Sequence, residues 1–147
     1  MPESGKPRGV VLDAGPLIAL AHRADPDHAG VRAGFEHLAN ERARLIVPLP
    51  IVFEVYKWLL YHASPASARG ALTHMRAALE IVFPGRQDFD DATSLIMGLR
   101  TEWTGTLEDA LIAAVGARLR LPVWTLTYRD FSAFRRLELW TPPPGSH

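Results

Sequence analysis

The chain has 147 residues, no cysteine, and sixteen basic residues balanced by sixteen acidic ones. Such a length predicts one domain that buries a core without disulfides; the missing thiols exclude a disulfide framework, a cysteine-ligated zinc or iron–sulfur centre and a cysteine nucleophile. Zero net charge removes any global electrostatic case for nucleic-acid binding and leaves only a local basic face, which would be built from arginine, since Lys6 and Lys57 are the only lysines.

Residues 1–8 read as a flexible leader. Gly9 to Asp13 is a short apolar strand ending in an acid, and Pro16 opens a helix over 16–23. Asp25-Pro26 breaks it, with Asp25 placed to cap a second helix over 26–41 that carries Val31, Phe35, Leu38 and Ala39 on one face. Arg44 to Val47 is a second strand, followed by helices over 51–61 and 65–79. Glu80 to Phe83 is a third strand, stopped by Pro84-Gly85. Helices over 88–100 and 107–119 follow, then a strand over 122–126, a helical turn over 130–136 and a last strand over 137–140. Residues 142–147 read as a flexible tail, so one domain over 9–141 is expected. Short apolar strands alternating with helices predict an α/β fold with a mainly parallel sheet of about five strands, covered on both faces.

In such folds ligands bind beyond the carboxyl ends of the strands. Four acids fall there: Asp13 at the end of the first strand, Glu54 after the second, Asp109 in the first turn of the helix over 107–119, and Asp130 past the fourth strand. Each alone has an ordinary structural role: a turn or cap for Asp13, a helix-dipole acid for Glu54, a capping box with Thr106 for Asp109 and a cap for Asp130. Together they would repel one another and raise one another's pKa. Oxygen ligands gathered this way suit Mg²⁺ or Mn²⁺.

The segments Val-Val-Leu-Asp13-Ala-Gly-Pro-Leu-Ile-Ala-Leu, Pro-Leu-Pro-Ile-Val-Phe-Glu54-Val, Glu-Asp109-Ala-Leu-Ile-Ala-Ala and Thr125-Leu-Thr-Tyr-Arg-Asp130-Phe131 resemble the motifs of PIN-domain nucleases, and among them the VapC-type toxins of toxin–antitoxin pairs. The resemblance runs from about Val10 to Trp140. It implies a three-layer α/β/α fold, a Mg²⁺- or Mn²⁺-dependent endoribonuclease, a homodimer and a VapB-like antitoxin. It assigns Asp13, Glu54 and Asp109 to the three best-defined acidic positions of the site. For the fourth, either Asp130 completes the cluster or three acids act with Thr125 or Thr127 as a polar helper. Ala14 stands where many relatives carry Thr or Ser.

Substrate contact is expected from Arg129, Thr125 and Thr127, with Arg118, Arg120, Arg135 and Arg136 as further cations, and Tyr128 could stack a base. Asp88, Asp90 and Asp91 read as a solvated first helical turn. No histidine pair has zinc-hydrolase spacing. The four tryptophans read as core or interface residues, and a groove around Ile51, Phe53, Tyr56, Trp58 and Leu59 as a surface for an antitoxin. The absence of a long apolar run and the polar N-terminus predict a soluble cytoplasmic protein. A phospho-receiver domain is excluded because no lysine follows Lys57, and a haloacid-dehalogenase-type phosphatase because Gly15 stands where its second acid belongs. A PIN-fold interaction protein without catalysis, or an RNA-processing nuclease without an antitoxin, are the alternatives to a toxin.

Overall fold

The computed structural model describes residues 8–144. Residues 1–7 of the expected leader and 145–147 of the expected tail lie outside the described residues. Among the described residues, four strands form a parallel sheet in the order β3-β2-β1-β4: β1 (Gly9–Leu12), β2 (Arg44–Pro48), β3 (Glu80–Val82) and β4 (Val123–Trp124). Between β1 and β2 lie α1 (Ala14–Ala21) and α2 (His28–Asn40); between β2 and β3 lie α3 (Leu49–His62) and α4 (Pro65–Ala78). Between β3 and β4 lie α5 (Arg86–Met97) and α6 (Leu107–Leu119), and α7 (Tyr128–Phe131) follows β4.

The chain steps from β1 outward through β2 to β3, then returns to the other side of β1. Right-handed crossovers in opposite directions put α1–α4 on one face and α5–α6 on the other. Neighbouring residues of β4 point to these two faces. A Cβ on Gly116 of α6 would lie 3.2 Å from Val123, whereas a Cβ on Gly34 of α2 would lie 2.7 Å from the Trp124 ring. With both faces covered, Val10, Val11, Leu12, Ile46 and Val47 are all fully buried, which explains their unbroken apolar runs.

The expected fifth strand is absent. Segment 137–140 pairs with β4 through a single bridge, Val123 to Leu139, closed by Val123 N–H to Glu138 O (2.9 Å) and Trp140 N–H to Val123 O (2.8 Å). The three prolines that follow, Pro142 to Pro144, have no N–H with which to extend a ladder. β4 is likewise shorter than expected, because the Thr127 N–H donates to the Thr125 hydroxyl (3.0 Å) and turns the chain out of the sheet. Proline-based helix starts also shifted. α1 begins at Ala14, whose N–H is capped by the Asp13 carboxylate (2.8 Å). α2 begins at His28, because the Asp25 carboxylate accepts from Asp27 N–H (2.8 Å) and folds a turn in place of a cap. The expected turn over 130–136 is a helix four residues long that starts at Tyr128, so Asp130 lies inside it and Thr127 is its N-cap.

Asp88 departs from its expected solvated role. It is buried, accepts from Gly85 N–H (3.1 Å) and pairs with Arg118 of α6 (2.7 Å). This pair joins α5 to α6 and removes Arg118 from the cations free to meet a substrate. Among the described residues, no helix is long and apolar enough to cross a membrane.

Candidate active site

The strand order reverses between β1 and β4, and the crevice at such a reversal is where open parallel sheets bind ligands. Asp13 leaves the end of β1 there, and Thr125 and Thr127 leave the end of β4. α3 and α6 run antiparallel to the strands, so their N-terminal halves come to the same edge, with Asp109 in the first turn of α6 and Glu54 in the second turn of α3.

Asp13 is nearly fully buried and held at both oxygens. Oδ1 accepts from Ala14 N–H, and Oδ2 accepts from the Thr125 hydroxyl at 2.7 Å. Thr125 is itself fully buried, and its Oγ1 lies 3.0 Å from the Thr127 hydroxyl. Burial pushes the Asp13 carboxyl up, the Thr125, Ala14 and Thr127 contacts pull it back, and the charge of Asp130 adds to the rise.

Asp109 forms the expected capping box: Thr106 N–H donates to Oδ2 (3.0 Å) and Asp109 N–H donates to the Thr106 hydroxyl (3.1 Å). Its carboxyl is raised as well, first by burial and then by the charges of Asp13 and Asp130, against the Thr106 bonds. Glu54 keeps solvent contact but stands against protein that removes part of its hydration. This desolvation, followed by the charges of Asp13, Glu108 and Asp109, pushes its carboxyl up to about 7.

The four expected acids therefore feel one another: Glu54 and Asp109 each respond to Asp13, and Asp130 acts on both Asp13 and Asp109. Glu108 is a fifth negative charge on this rim that the sequence reading did not single out; its position beside Asp109 was the available signal. Thr125 and Thr127 both belong to the cluster, as partners of Asp13. Arg129 is exposed on α7 beside Asp130, and its side chain has no carboxylate partner among the described residues. The four arginines other than Arg118 that were expected to meet substrate are all exposed, and Arg120 has a left-handed backbone (φ 56°) that ends α6.

The Trp103 indole N–H donates to the Asp130 carbonyl (2.9 Å) and packs edge-on against Phe134, tying the loop before α6 to α7. Among the described residues no three Asp, Glu or His side chains form a ready-made ligand shell. The chemical character is that of coupled carboxylates whose mutual repulsion a positive charge would relieve.

The expected antitoxin groove is not continuous. Ile51 and Leu59 are core residues, because α3 turns them inward with Val52 and Val55. Trp58 is half-buried and stacks on His62 (4.5 Å), while Phe53 is 66% exposed. Trp124 and Trp140 are core residues in edge-to-face contact at 4.7 Å.

No protein-family model and no curated protein matches the chain. Solved structures do match it. The toxin VapC20 of Mycobacterium tuberculosis, described as cleaving the sarcin–ricin loop, superposes with a TM-score of 0.74 at 15% identity, over 89% of this chain and 98% of that one. A chain of VapBC2 from Rickettsia felis, solved on a fragment of promoter DNA, gives 0.72 at 15% identity, over 89% and 96%. A chain of a toxin–antitoxin complex from Klebsiella pneumoniae gives 0.63 at 21% identity, over 92% and 98%. The chain thus has the α/β fold of VapC toxins, the PIN-like fold that its motifs led one to expect, with four strands in its sheet.

Proposed function

We propose that this protein is a VapC-like toxin, an endoribonuclease that hydrolyses RNA phosphodiesters with a divalent metal and is neutralised by a VapB-like antitoxin. One observation carries the reading: in a fold shared with VapC toxins, Asp13, Glu54, Asp109 and Asp130 converge electrostatically at the switch point of the sheet. Burial and repulsion raise three of these carboxyls, a cost to the folded state that needs an offsetting role.

The donors are all oxygen, which fits a hard cation such as Mg²⁺ or Mn²⁺. Asp13 and Asp109 would hold it directly, with Glu54 and Asp130 at its margin. When bound, it would polarise the scissile phosphodiester and make bound water more acidic. The remaining work falls to the chain. Thr125 and Ala14 fix the orientation of the Asp13 carboxylate through its two oxygens. Glu54, at the margin of the cluster, would accept a proton at its carboxylate from an attacking water. Arg129 would bind a phosphate beside the cut, with the Thr127 hydroxyl as a further polar contact. A cytoplasmic homodimer is part of the same reading.

The test is cleavage of a structured RNA pool by the purified protein with Mg²⁺, Mn²⁺ or EDTA, beside Asp13→Asn and Asp109→Asn. Metal-dependent cuts that vanish in both folded variants support the reading. Wild-type cutting that persists in EDTA, or in both variants, overturns it. A small gene for a DNA-binding protein immediately upstream would favour a toxin over an RNA-processing nuclease.

A further inference from the structure

A pocket opens where the chain leaves β4, lined by Leu126 and Tyr128 on either side of Thr127. It has a volume of about 380 Å³ and lies between the N-terminal end of α2, the end of β4, α7 and the C-terminal prolines. Its flat apolar walls come from Pro26, Leu126, Pro142 and Pro143. Asp27 and Tyr128 are the two lining residues with polar side-chain oxygens, and they stand close enough for the Asp27 charge to act on the Tyr128 phenol. Tyr128 is 40% exposed and directly follows Thr127, whose hydroxyl meets the Thr125 hydroxyl that holds Asp13. The Trp124 indole, part of the same lining, has its N–H buried with no acceptor among the described residues.

We propose that this pocket takes an unpaired guanine base of the RNA, a proposal that rests on the ribonuclease reading above. Flat walls of proline and tyrosine suit a planar heterocycle. An ionised carboxylate accepts and never donates, so it selects a ligand edge made of donors. Guanine presents two adjacent ones, N1–H and the N2 amino group, which a carboxylate meets in bidentate fashion. Cytosine and adenine each offer one amino group beside an acceptor, and uracil flanks its single N–H with two carbonyls that an anion repels. Asp27 is available for this contact: it occupies the N-cap of α2 without a side-chain cap bond, and its carboxylate has no partner among the described residues. The base would sit beside the phosphate held at Arg129, one residue beyond Tyr128.

The experiment measures binding of labelled single-stranded pentanucleotides that differ only in a central G, A, C or U, in EDTA so that nothing is cut. The proteins are the wild type, Asp27→Asn, Tyr128→Phe and Tyr128→Ala, each checked for its fold by circular dichroism and melting. A good bidentate base contact discriminates by roughly ten-fold or more, and that gap is expected for G. It should collapse in Asp27→Asn and in Tyr128→Ala and survive largely in Tyr128→Phe, which keeps the ring. Equal binding of the four oligomers, or a gap that survives both Asp27→Asn and Tyr128→Ala, overturns the proposal. GMP competing as well as the G oligomer also overturns it, since the pocket would then serve a free nucleotide. Parallel cleavage with Mg²⁺ or Mn²⁺ separates the two readings. A gap for G without any cleavage would sink the nuclease and keep the pocket, and cleavage without a gap would do the reverse.

Discussion

The Thr125 hydroxyl donates a 2.7 Å hydrogen bond to Oδ2 of Asp13, joining the ends of β4 and β1 across 112 positions of sequence. Both groups are buried, so the bond is made in a medium where an unpaired oxygen is costly. It also fixes which way the carboxylate faces.

Thr125→Val tests that bond with little change in shape. Asp13 should lose its orienting donor, and cleavage should need more metal. Loss of an orienting partner costs about 10- to 100-fold in metal affinity or activity. Titrating cleavage against Mg²⁺ reads this directly; an unchanged titration in a folded variant would remove Thr125 from the site.

Glu54 gives a pH dependence of stability. Its folded pKa, about 7, lies above its ordinary 4.5, so the native state binds the extra proton between these values. Stability should therefore fall as pH rises from about 4.5 to 7 and stay lowered above that. Glu54→Gln should remove this fall and raise stability above pH 7 by about 1 kcal/mol, a figure discounted because the group keeps solvent contact. Urea unfolding at pH 5 and pH 8 measures it: the variant should gain at pH 8 over pH 5.

Metal should act on the same charges. Mg²⁺ or Mn²⁺ is expected to raise the melting temperature of the wild type at pH 8, because a ligand bound only by the folded state stabilises it. The rise should shrink in Asp13→Asn and in Asp109→Asn. An equal rise in wild type and both variants would place any bound metal elsewhere.

The pair between Asp88 and Arg118 should matter for stability and not for chemistry. Burial works against the Asp88 charge, but the bonds from Arg118 and Gly85 N–H outweigh it and hold the carboxyl below its ordinary value. Its contribution is thus present above about pH 4 and lost as the pH falls further. Arg118→Met strands a buried carboxylate, at a cost of about 1–3 kcal/mol given the half-exposed arginine. Denaturant titration should show the loss at pH 7, with any RNA cleavage per folded molecule unchanged.

Gly34 marks where α2 approaches the sheet. A Cβ there would lie 2.7 Å from Trp124 and 3.1 Å from Pro142, closer than packing allows. Gly34→Ala should cost about 1–3 kcal/mol through overpacking, even though alanine favours helix. A melting temperature at or above wild type would show that the Trp124 ring can yield.

The four apolar runs that became strands were legible because a parallel sheet covered on both faces leaves no polar alternation in its central strands. Asp13, Glu54 and Asp109 were legible for a local reason: each follows a strand or opens a helix, and the edge where they meet follows from parallel topology. The capping box of Thr106 and Asp109 lies within four residues and was readable as well. The fifth strand was not, because one bridge and a strand look alike in a segment as short as Leu137 to Trp140, and the chain after Leu139 decides between them. The fate of Asp88 was hidden for a different reason. Its partner Arg118 is thirty residues away, and only the packing of α5 on α6 turns an acid in a charged helical turn into a buried ion pair. Ile51 and Leu59 likewise look the same in sequence whether they form a surface groove or a core, until the rotation of α3 is known. Composition and spacing determined the fold class and the acids at the sheet edge, since both follow from interactions within one element. Tertiary structure alone decided which charges are paired, which hydroxyl holds Asp13 and what pocket lies where the chain leaves β4, because those depend on contacts between residues far apart in the chain.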